Sequence, residues 1–495
     1  MVKSLGVVGG GLAGLAAALR LANKGFRVQL FEQSGKLGGK MNEVVEQGYR
    51  FDTGPSLLTM PFVIDELFQF LGLKRSDYLN FKEIDPICRY FWQEGLRLDA
   101  HVNFEPMRDA IRTISAPDAE RYKNFLLYSK AIYNLTADVF LYTAVHEWKK
   151  LANRNTLRKL LRIREIDPWR TVDQGVRRFF SDPHIIQIFN RYATYNGSDP
   201  YRAPATLNII PYVEYVLGSF YIEGGIYRLV EQLSDLAGKL GIEIHLNTPV
   251  EKILHHNRKI SGLQVAGQKI ELDYVVCNGD VVTSFVDLID GFSRETRKLR
   301  RLEPSLSGIV FLWGLNKGHQ QLVHHNIFFS ADYRSEFRCL FNEKCLPDDP
   351  TIYVAITSKS DGGHAPSGKE NWFVLCNMPY LDEQNNGPGG TEIMRSRILD
   401  KLKTHGIDIE SSIEYEQVIT PRDFYVKYKS NRGSIYGLSS NSRFTAFRRP
   451  ANRNRRIKGL YFAGGSAHPG GGIPLVLLSG KLSSDLILER EGLKQ

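Results

Sequence analysis

Val7-Val8-Gly9-Gly10-Gly11-Leu12-Ala13-Gly14-Leu15, close to the N-terminus, restricts the fold more than any other stretch of this 495-residue chain. It reads as a buried strand, a tight glycine turn and the opening of a helix. Gly9, Gly11 and Gly14 have the G-x-G-x-x-G spacing that cradles a dinucleotide. Gly9 permits the turn, Gly11 lets a pyrophosphate approach the backbone, and Gly14 lets helix and strand pack closely. Leu12, Leu15, Ala16 and Leu19 follow at helical spacing. Arg27–Glu32 then reads as a second strand ending in an acid. Glu32 therefore stands where a ribose hydroxyl is bound in such a βαβ unit.

Bulk properties narrow the class. A hydrophobic fraction of 42% with 24% charged residues is the balance of a globular protein with a core. The formal charge of +10 suits a phosphate-bearing ligand or an anionic membrane surface; no nucleic-acid motif accompanies it, and no nucleic-acid partner is expected. The five cysteines (Cys88, Cys277, Cys339, Cys345, Cys376) are scattered and form no C-x-x-C pair. Neither a disulfide framework nor a zinc site is expected from them, and a reduced intracellular compartment is. The chain passes from Met1-Val2-Lys3-Ser4 straight into the first strand, so no signal segment is expected. No run reaches the ~18 apolar residues of a spanning helix. Any membrane contact is expected to be peripheral.

Further along, Gln33–Lys40 places Gly38, Gly39 and Lys40 in a loop able to close over a pyrophosphate. Tyr49–Ser56 ends a strand in a turn shaped by Gly54 and Pro55. From Pro61 to about Phe220 the pattern is helical and aromatic-rich. Within it, Trp148–Arg164 carries Lys149, Lys150, Arg154, Arg158, Lys159, Arg162 and Arg164, no acid, and interleaved apolar residues. A solvated helix face and a basic amphipathic segment on anionic lipid both read this way. An α/β pattern returns at Glu223-Gly224-Gly225, with a helical stripe over Ile226–Leu240 and a buried strand at Tyr274–Asn278. A second sheet is expected between about Leu302 and Tyr428, with strands near Ile309–Trp313, Thr351–Ile356 and Trp372–Leu375. His324-His325 has no carboxylate at ligand spacing, so no metal is expected. Gly459–Gly465 reads as a strand running into glycines, and Pro474 opens a last helix to about Arg490.

The opening fingerprint, Gly38-Gly39-Lys40, Asp52-Thr53-Gly54-Pro55, Asn196–Pro204, Glu223-Gly224-Gly225, Ala365-Pro366-Ser367-Gly368 and Gly464–Pro474 together resemble the bacterial phytoene desaturase family of FAD-dependent carotenoid desaturases. The resemblance covers essentially the whole chain. In Gly464-Gly465-Ser466-Ala467-His468-Pro469-Gly470-Gly471-Gly472-Ile473-Pro474 the glycines are not interrupted as in plain phytoene desaturases. This form is more similar to the branch that acts on end-hydroxylated carotenoids, the 1-hydroxycarotenoid 3,4-desaturases. The resemblance implies an α/β fold with a Rossmann-like FAD-binding domain of the two-dinucleotide-binding-domain, amine-oxidase-like type. A mixed-sheet substrate domain and a helical membrane-associating region complete it. The expected parts are 1–60, 221–300 and 441–495 for FAD, 61–220 for the helical membrane and substrate region, and 301–440 for the substrate sheet.

By motif match, the family implies the ADP half of FAD on Gly9, Gly11, Leu12, Ala13, Gly14 and Glu32. Gly38, Gly39 and Lys40 would lie near the pyrophosphate, and Val250 would present backbone to the adenine. Gly54 and Pro55 would approach the isoalloxazine. Gly464 and Gly465 lead towards Gly472, Ile473 and Pro474, which would set the last helix N-terminus under the pyrimidine edge of the flavin. The implied reaction removes a hydride to flavin and a proton from the adjacent carbon, making a C=C bond beside a polyene. Such a site needs an apolar tunnel that excludes water. His468 and Asp52 are the candidates for a weak base, with a structural hydrogen bond as the ordinary reading of His468. A membrane-dissolved carotenoid, a monotopic contact with the inner face of the cell membrane from the cytoplasmic side, and oxygen or a quinone as electron acceptor are the expected partners. The alternatives are a phytoene-type desaturase, a carotenoid oxygenase or isomerase, or an amine oxidase of the same fold, and a prenyl-binding protein that has lost flavin.

Overall fold

The computed structural model describes residues 2–147, 162–382, 390–442 and 449–493. Among these residues the fingerprint strand Ser4–Val8 lies at the centre of a five-stranded parallel sheet. The order is Leu460–Phe462, Tyr274–Cys277, Ser4–Val8, Arg27–Phe31, Glu243–His245. The strands come from three distant parts of the chain. All are short, and Ser4–Val8, Tyr274–Cys277 and Leu460–Phe462 are nearly continuous in apolar residues, as expected when helices cover both faces. On one face the helices Leu12–Ala22 and Ile473–Arg490 pack together, and both begin at the same cavity. Gly480 permits their approach: a Cβ there would stand 2.5 Å from the Ala13 carbonyl oxygen. A three-stranded antiparallel sheet, Val250–His256, Lys259–Val265 and Gln268–Glu271, flanks this layer.

The second layer is a seven-stranded mixed sheet in the order Ile413–Ile419, Ser307–Leu315, Glu370–Met378, Ile352–Ala355, His325–Phe328, Cys88–Phe91, Arg97–Ala100. Its two outer strands, Cys88–Phe91 and Arg97–Ala100, differ from the helical pattern expected across 61–220. They form a hairpin turned at Gly95, which has a φ of +81°. Cys88, Tyr90, Leu98 and Ala100 are buried while Arg89 and Arg97 are not, which is the two-residue alternation of a half-buried strand. The rest of that region is largely helical, with Phe62–Phe70, Phe104–Arg112, Ala116–Thr136, Pro183–Asn190 and Ile209–Tyr215 as its longer pieces. Buried Asp118 ties two of them together, accepting from the Ser181 and Asp182 N–H groups and the Ser181 hydroxyl.

Two further expectations need correction or limits. Cys339 and Cys345 are joined by a disulfide, against the reading from cysteine spacing. A helical turn over Cys339–Glu343, followed by Lys344 at a φ of +57°, brings the chain back so that the Cys345 N–H donates to the Cys339 carbonyl at 3.1 Å. Cys88, Cys277 and Cys376 are free and buried. Of the basic segment Trp148–Arg164, residues 148–161 lie outside the described residues; Arg162, exposed, pairs with Glu165 at 2.6 Å. No helix among the described residues is long and apolar enough to cross a membrane.

Candidate active site

One cavity of about 1720 Å³ runs between the two layers. That exceeds the roughly 300–1,000 Å³ of an ordinary small-molecule pocket. It is large enough for a cofactor and a second, elongated molecule.

Its first end is made of backbone. Gly9, Gly11, Leu12, Ala13, Glu32, Gly38, Gly39, Lys40, Gly54, Pro55, Val250, Gly464, Gly465, Gly472, Ile473 and Pro474 all line it. Both helices that start here lack a capping side chain: Gly11 precedes one and Gly472, at a φ of +105°, precedes the other. Two helix N-termini therefore offer positive potential to one space. Two of the glycines are sterically required by close backbone. A Cβ on Gly54 would stand 2.1 Å from the Lys40 carbonyl oxygen, and one on Gly38 would stand 2.2 Å from that of Met41. The Gly38 N–H donates to the Gly10 carbonyl at 2.8 Å, which seats the Gly38-Gly39 loop on the fingerprint.

Three of the sequence candidates occupy different positions from their neighbours. Gly14 does not face the cavity; its Cβ would meet the Gly9 carbonyl oxygen at 2.3 Å, so it serves helix–strand packing. Asp52 does not line the cavity either. Its carboxylate accepts from the Tyr221 hydroxyl at 2.7 Å, the Arg50 guanidinium at 2.9 Å and the Ile226 and Tyr227 N–H groups at 3.3 Å. Arg50 lies where a Cβ of Gly225 would fall, which is why Glu223-Gly224-Gly225 is glycine-rich. A carboxylate so occupied is a joint between segments, and a role for Asp52 as base has no support in this geometry. His468 is fully buried behind the wall residue Phe140, with ring centroids 4.8 Å apart, and its Nε2–H donates to the Thr143 carbonyl at 3.0 Å. Burial, reinforced by nearby His146, pushes its pKa down to about 3. It is neutral, turned from the cavity, and holds the last loop to the 140–146 segment.

Other residues carry more of the site than the sequence suggested. Asn278, at the end of the buried strand Tyr274–Cys277, joins three glycine segments. Its N–H donates to the Val8 carbonyl at 2.8 Å, its Oδ1 accepts from the Gly14 N–H at 2.9 Å, and its Nδ2 donates to the Ala463 carbonyl at 3.2 Å. A single amide following a buried apolar run was its only signal. Glu32 accepts from the Gly10 N–H at 2.8 Å and from Ser34, and so rigidifies the turn from the cavity side. The Lys40 ammonium donates to the Ser434 and Ile435 carbonyls at 3.0 and 2.7 Å. Burial lowers its pKa to about 8 against the opposing pull of Asp280, whose own carboxyl burial pushes up. Arg449, buried, donates to the Gly465 and Leu438 carbonyls at 2.9 Å each and has no carboxylate partner among the described residues. Burial lowers its pKa to about 10, so it stays a cation beside the last loop.

The other end is made of side chains. Val310, Leu375, Tyr353 and Ile327 form a row across four adjacent strands, each directly paired with the next, and all line the cavity. At ~4.8 Å per strand the row spans about 14 Å. Leu135, Val139, Phe140, Leu141 and Val145 wall one side, and Ile209, Ile210 and Val213 another. Arg191, Glu214, Tyr195 and His325 line the cavity as well, His325 lying two residues before Ile327 on the same strand.

This cradle fits FAD: a glycine-lined turn at a helix N-terminus for a pyrophosphate, and a second uncapped helix and a buried cation at the far side. Comparison with known proteins agrees. The model of the family described as flavin containing amine oxidoreductase matches residues 12–488. A 1-hydroxycarotenoid 3,4-desaturase of Flavobacterium sp. (strain P99-3) is 40% identical over 487 residues, covering 98% of this chain and 99% of that protein. A 4,4'-diapolycopene oxygenase of Methylomonas sp. is 38% identical over 488 residues, covering 97% of each. Among solved structures, an oxidoreductase from Methanosarcina mazei superposes with a TM-score of 0.66 at 16% identity, over 98% of this chain and 100% of that one. Cyclohexylamine oxidase from Brevibacterium oxydans gives 0.62 at 14%, over 99% and 100%.

Proposed function

The chain belongs to the flavin containing amine oxidoreductase family, and on that premise we propose that it is an FAD-dependent carotenoid desaturase acting on a 1-hydroxycarotenoid at the 3,4 bond. The observation that carries the reading is the continuity of the cavity from the glycine cradle into the row of Val310, Leu375, Tyr353 and Ile327, which suits a rod-like polyene laid against the cofactor. Bound FAD supplies the two-electron acceptor for a hydride. The chain's own residues do the rest. The Val310–Ile327 row and the Leu135–Val145 wall exclude water from the reacting carbons. Gly54 and Pro55 let backbone approach the ring. The Ile473 helix N-terminus and Arg449 bring positive potential to where negative charge accumulates.

The membrane partner belongs to the same proposal. Ile166 and Pro168 line the cavity while Trp169, next in the chain, is exposed, and the basic stretch Trp148–Arg164 leads into them. This corner is read as the mouth that faces the lipid, with the protein peripheral on the inner face of the cell membrane and oxygen or a quinone taking the electrons onward. Changing the stretch's lysines and arginines to glutamine is expected to reduce sedimentation with anionic liposomes and leave flavin absorbance intact; unchanged sedimentation would remove the lipid contact from the account.

The deciding experiment is conversion of a 1-hydroxycarotenoid in liposomes by the purified yellow protein, with product masses. Loss of two hydrogens is expected. A gain of oxygen would place the chain with the oxygenases it also resembles, and an unchanged mass with a shifted spectrum would make it an isomerase.

A further inference from the structure

The cavity lining contains charges that a hydrocarbon ligand does not need. Arg191 and Glu214 are 7% and 1% exposed, yet both line the cavity. They pair at 3.3 Å. The Arg191 guanidinium also donates to the Tyr90 hydroxyl at 2.8 Å, and the Glu214 carboxylate accepts from the hydroxyls of Tyr192, at 2.7 Å, and Tyr195. On the adjoining strand His325 takes part in a chain from Ser56 through the Tyr353 hydroxyl to its Nδ1, the last step being 2.8 Å. Ser56 follows Pro55, so the chain links this cluster to the cofactor end.

Taking two charges out of water costs several kcal/mol each unless geometry and further hydrogen bonds compensate. An apolar lining would serve a pure hydrocarbon better. Nor are the polar atoms of this cluster all engaged within the protein. Arg191 Nε and His325 Nε2 have no hydrogen-bond partner. A neutral imidazole has one donor and one acceptor nitrogen. With Nδ1 engaged by Tyr353, Nε2 is left as one unsatisfied polar atom in either tautomer. Such a place suits a group that both donates and accepts.

We propose that Arg191, Glu214, Tyr195 and His325 form a subsite that binds the terminal hydroxyl of the polyene substrate and thereby fixes which carbons lie at the flavin. The inference rests on the carotenoid reading above and names its recognition element. Ser56 joins this cluster to Pro55, and the 3,4 bond begins two carbons from the hydroxylated carbon, so with the oxygen held there a rigid polyene has one register against Gly54 and Pro55.

The test compares an end-hydroxylated carotenoid with its hydrocarbon parent in liposomes, using the flavin-loaded full chain. The readout is the ratio of kcat/KM for the two, together with the position of the new double bond. Wild type is expected to favour the hydroxylated polyene. Tyr195→Phe and His325→Phe, each removing one polar contact, are expected to lower the ratio about tenfold, a difference of about 1.4 kcal/mol. They are also expected to spread product over more than one bond position. Arg191→Met leaves Glu214 uncompensated and is informative only if it retains flavin; Tyr195→Phe removes a single oxygen and does not share that weakness. Equal loss on both substrates with an unchanged ratio and bond position would overturn the subsite and leave the desaturase reading standing, as would a wild type that does not discriminate. A wild type that converts neither polyene would overturn the carotenoid reading, and the subsite with it.

Discussion

The two ends of the cavity are built from different materials. The cofactor end is backbone: glycines, two uncapped helix N-termini and carbonyl groups, locked by Asn278 and Glu32. The substrate end is side chains contributed by four strands and several helical segments. A backbone-built surface makes the same contacts for any flavin and tolerates little change, because a Cβ at Gly38 or Gly54 enters space already taken and Gly9, Gly39 and Gly472 hold positive φ. A side-chain-built surface can be altered one group at a time, so specificity resides there. The comparison predicts that substitutions at the first end act through loss of cofactor, and those at the second through choice and rate of substrate.

Gly54→Ala should give the largest effect. Its Cβ would fall 2.1 Å from the Lys40 carbonyl oxygen, so the loop must move, and flavin retained per protein should fall about tenfold or more, read as the visible-to-280 nm absorbance ratio. A yellow, active Gly54→Ala protein would break the contrast. Asn278→Ala comes next. It strips the Gly14 N–H and Ala463 carbonyl of their partners, which should cost about 2–4 kcal/mol in chemical denaturation and weaken flavin binding as well. Leu375→Trp, in the middle of the cross-strand row, should lower kcat/KM for the polyene about tenfold with flavin absorbance unchanged; joint loss of flavin would show that the two ends are not separable.

His468→Gln is the smallest effect and the most discriminating. Gln retains a donor for the Thr143 carbonyl. Turnover at pH 7 should stay within about threefold, whereas a general base would cost about 10²–10⁴-fold. Its pKa is about 3 in the folded chain against 6.5 for an ordinary histidine, so between those values the unfolded chain binds a proton that the folded chain does not. Stability from this group is therefore intact above pH 6.5 and falls as pH drops towards 3. The variant should show a flatter acid-unfolding profile in that window, measured by intrinsic fluorescence.

The same contrast explains what was legible in the sequence. Gly9, Gly11, Gly38, Gly39, Gly54 and Gly464–Pro474 were readable because a backbone-built site is local: short spacings report tight turns directly. Side-chain direction is not local in that way. Asp52 was singled out by its neighbours Thr53 and Gly54, which line the cavity, yet successive strand residues point to opposite sides and Asp52 faces Tyr221. His468, beside the lining residue Pro469, is likewise turned away and makes the structural hydrogen bond that was its ordinary reading. The Cys88–Phe91 and Arg97–Ala100 hairpin was hidden within an aromatic-rich stretch where helical and alternating patterns overlap. The Arg191–Glu214 pair could not be read at all, because its members join only when helices and sheet have packed.

The most direct test of the account is a single turnover without oxygen or quinone. Holoenzyme mixed anaerobically with liposomes carrying a 1-hydroxycarotenoid should lose its oxidised-flavin absorbance in step with a red shift of the polyene spectrum, one flavin per new double bond. A polyene that shifts while the flavin absorbance stays constant, or a flavin that bleaches with no change in the polyene, would contradict it.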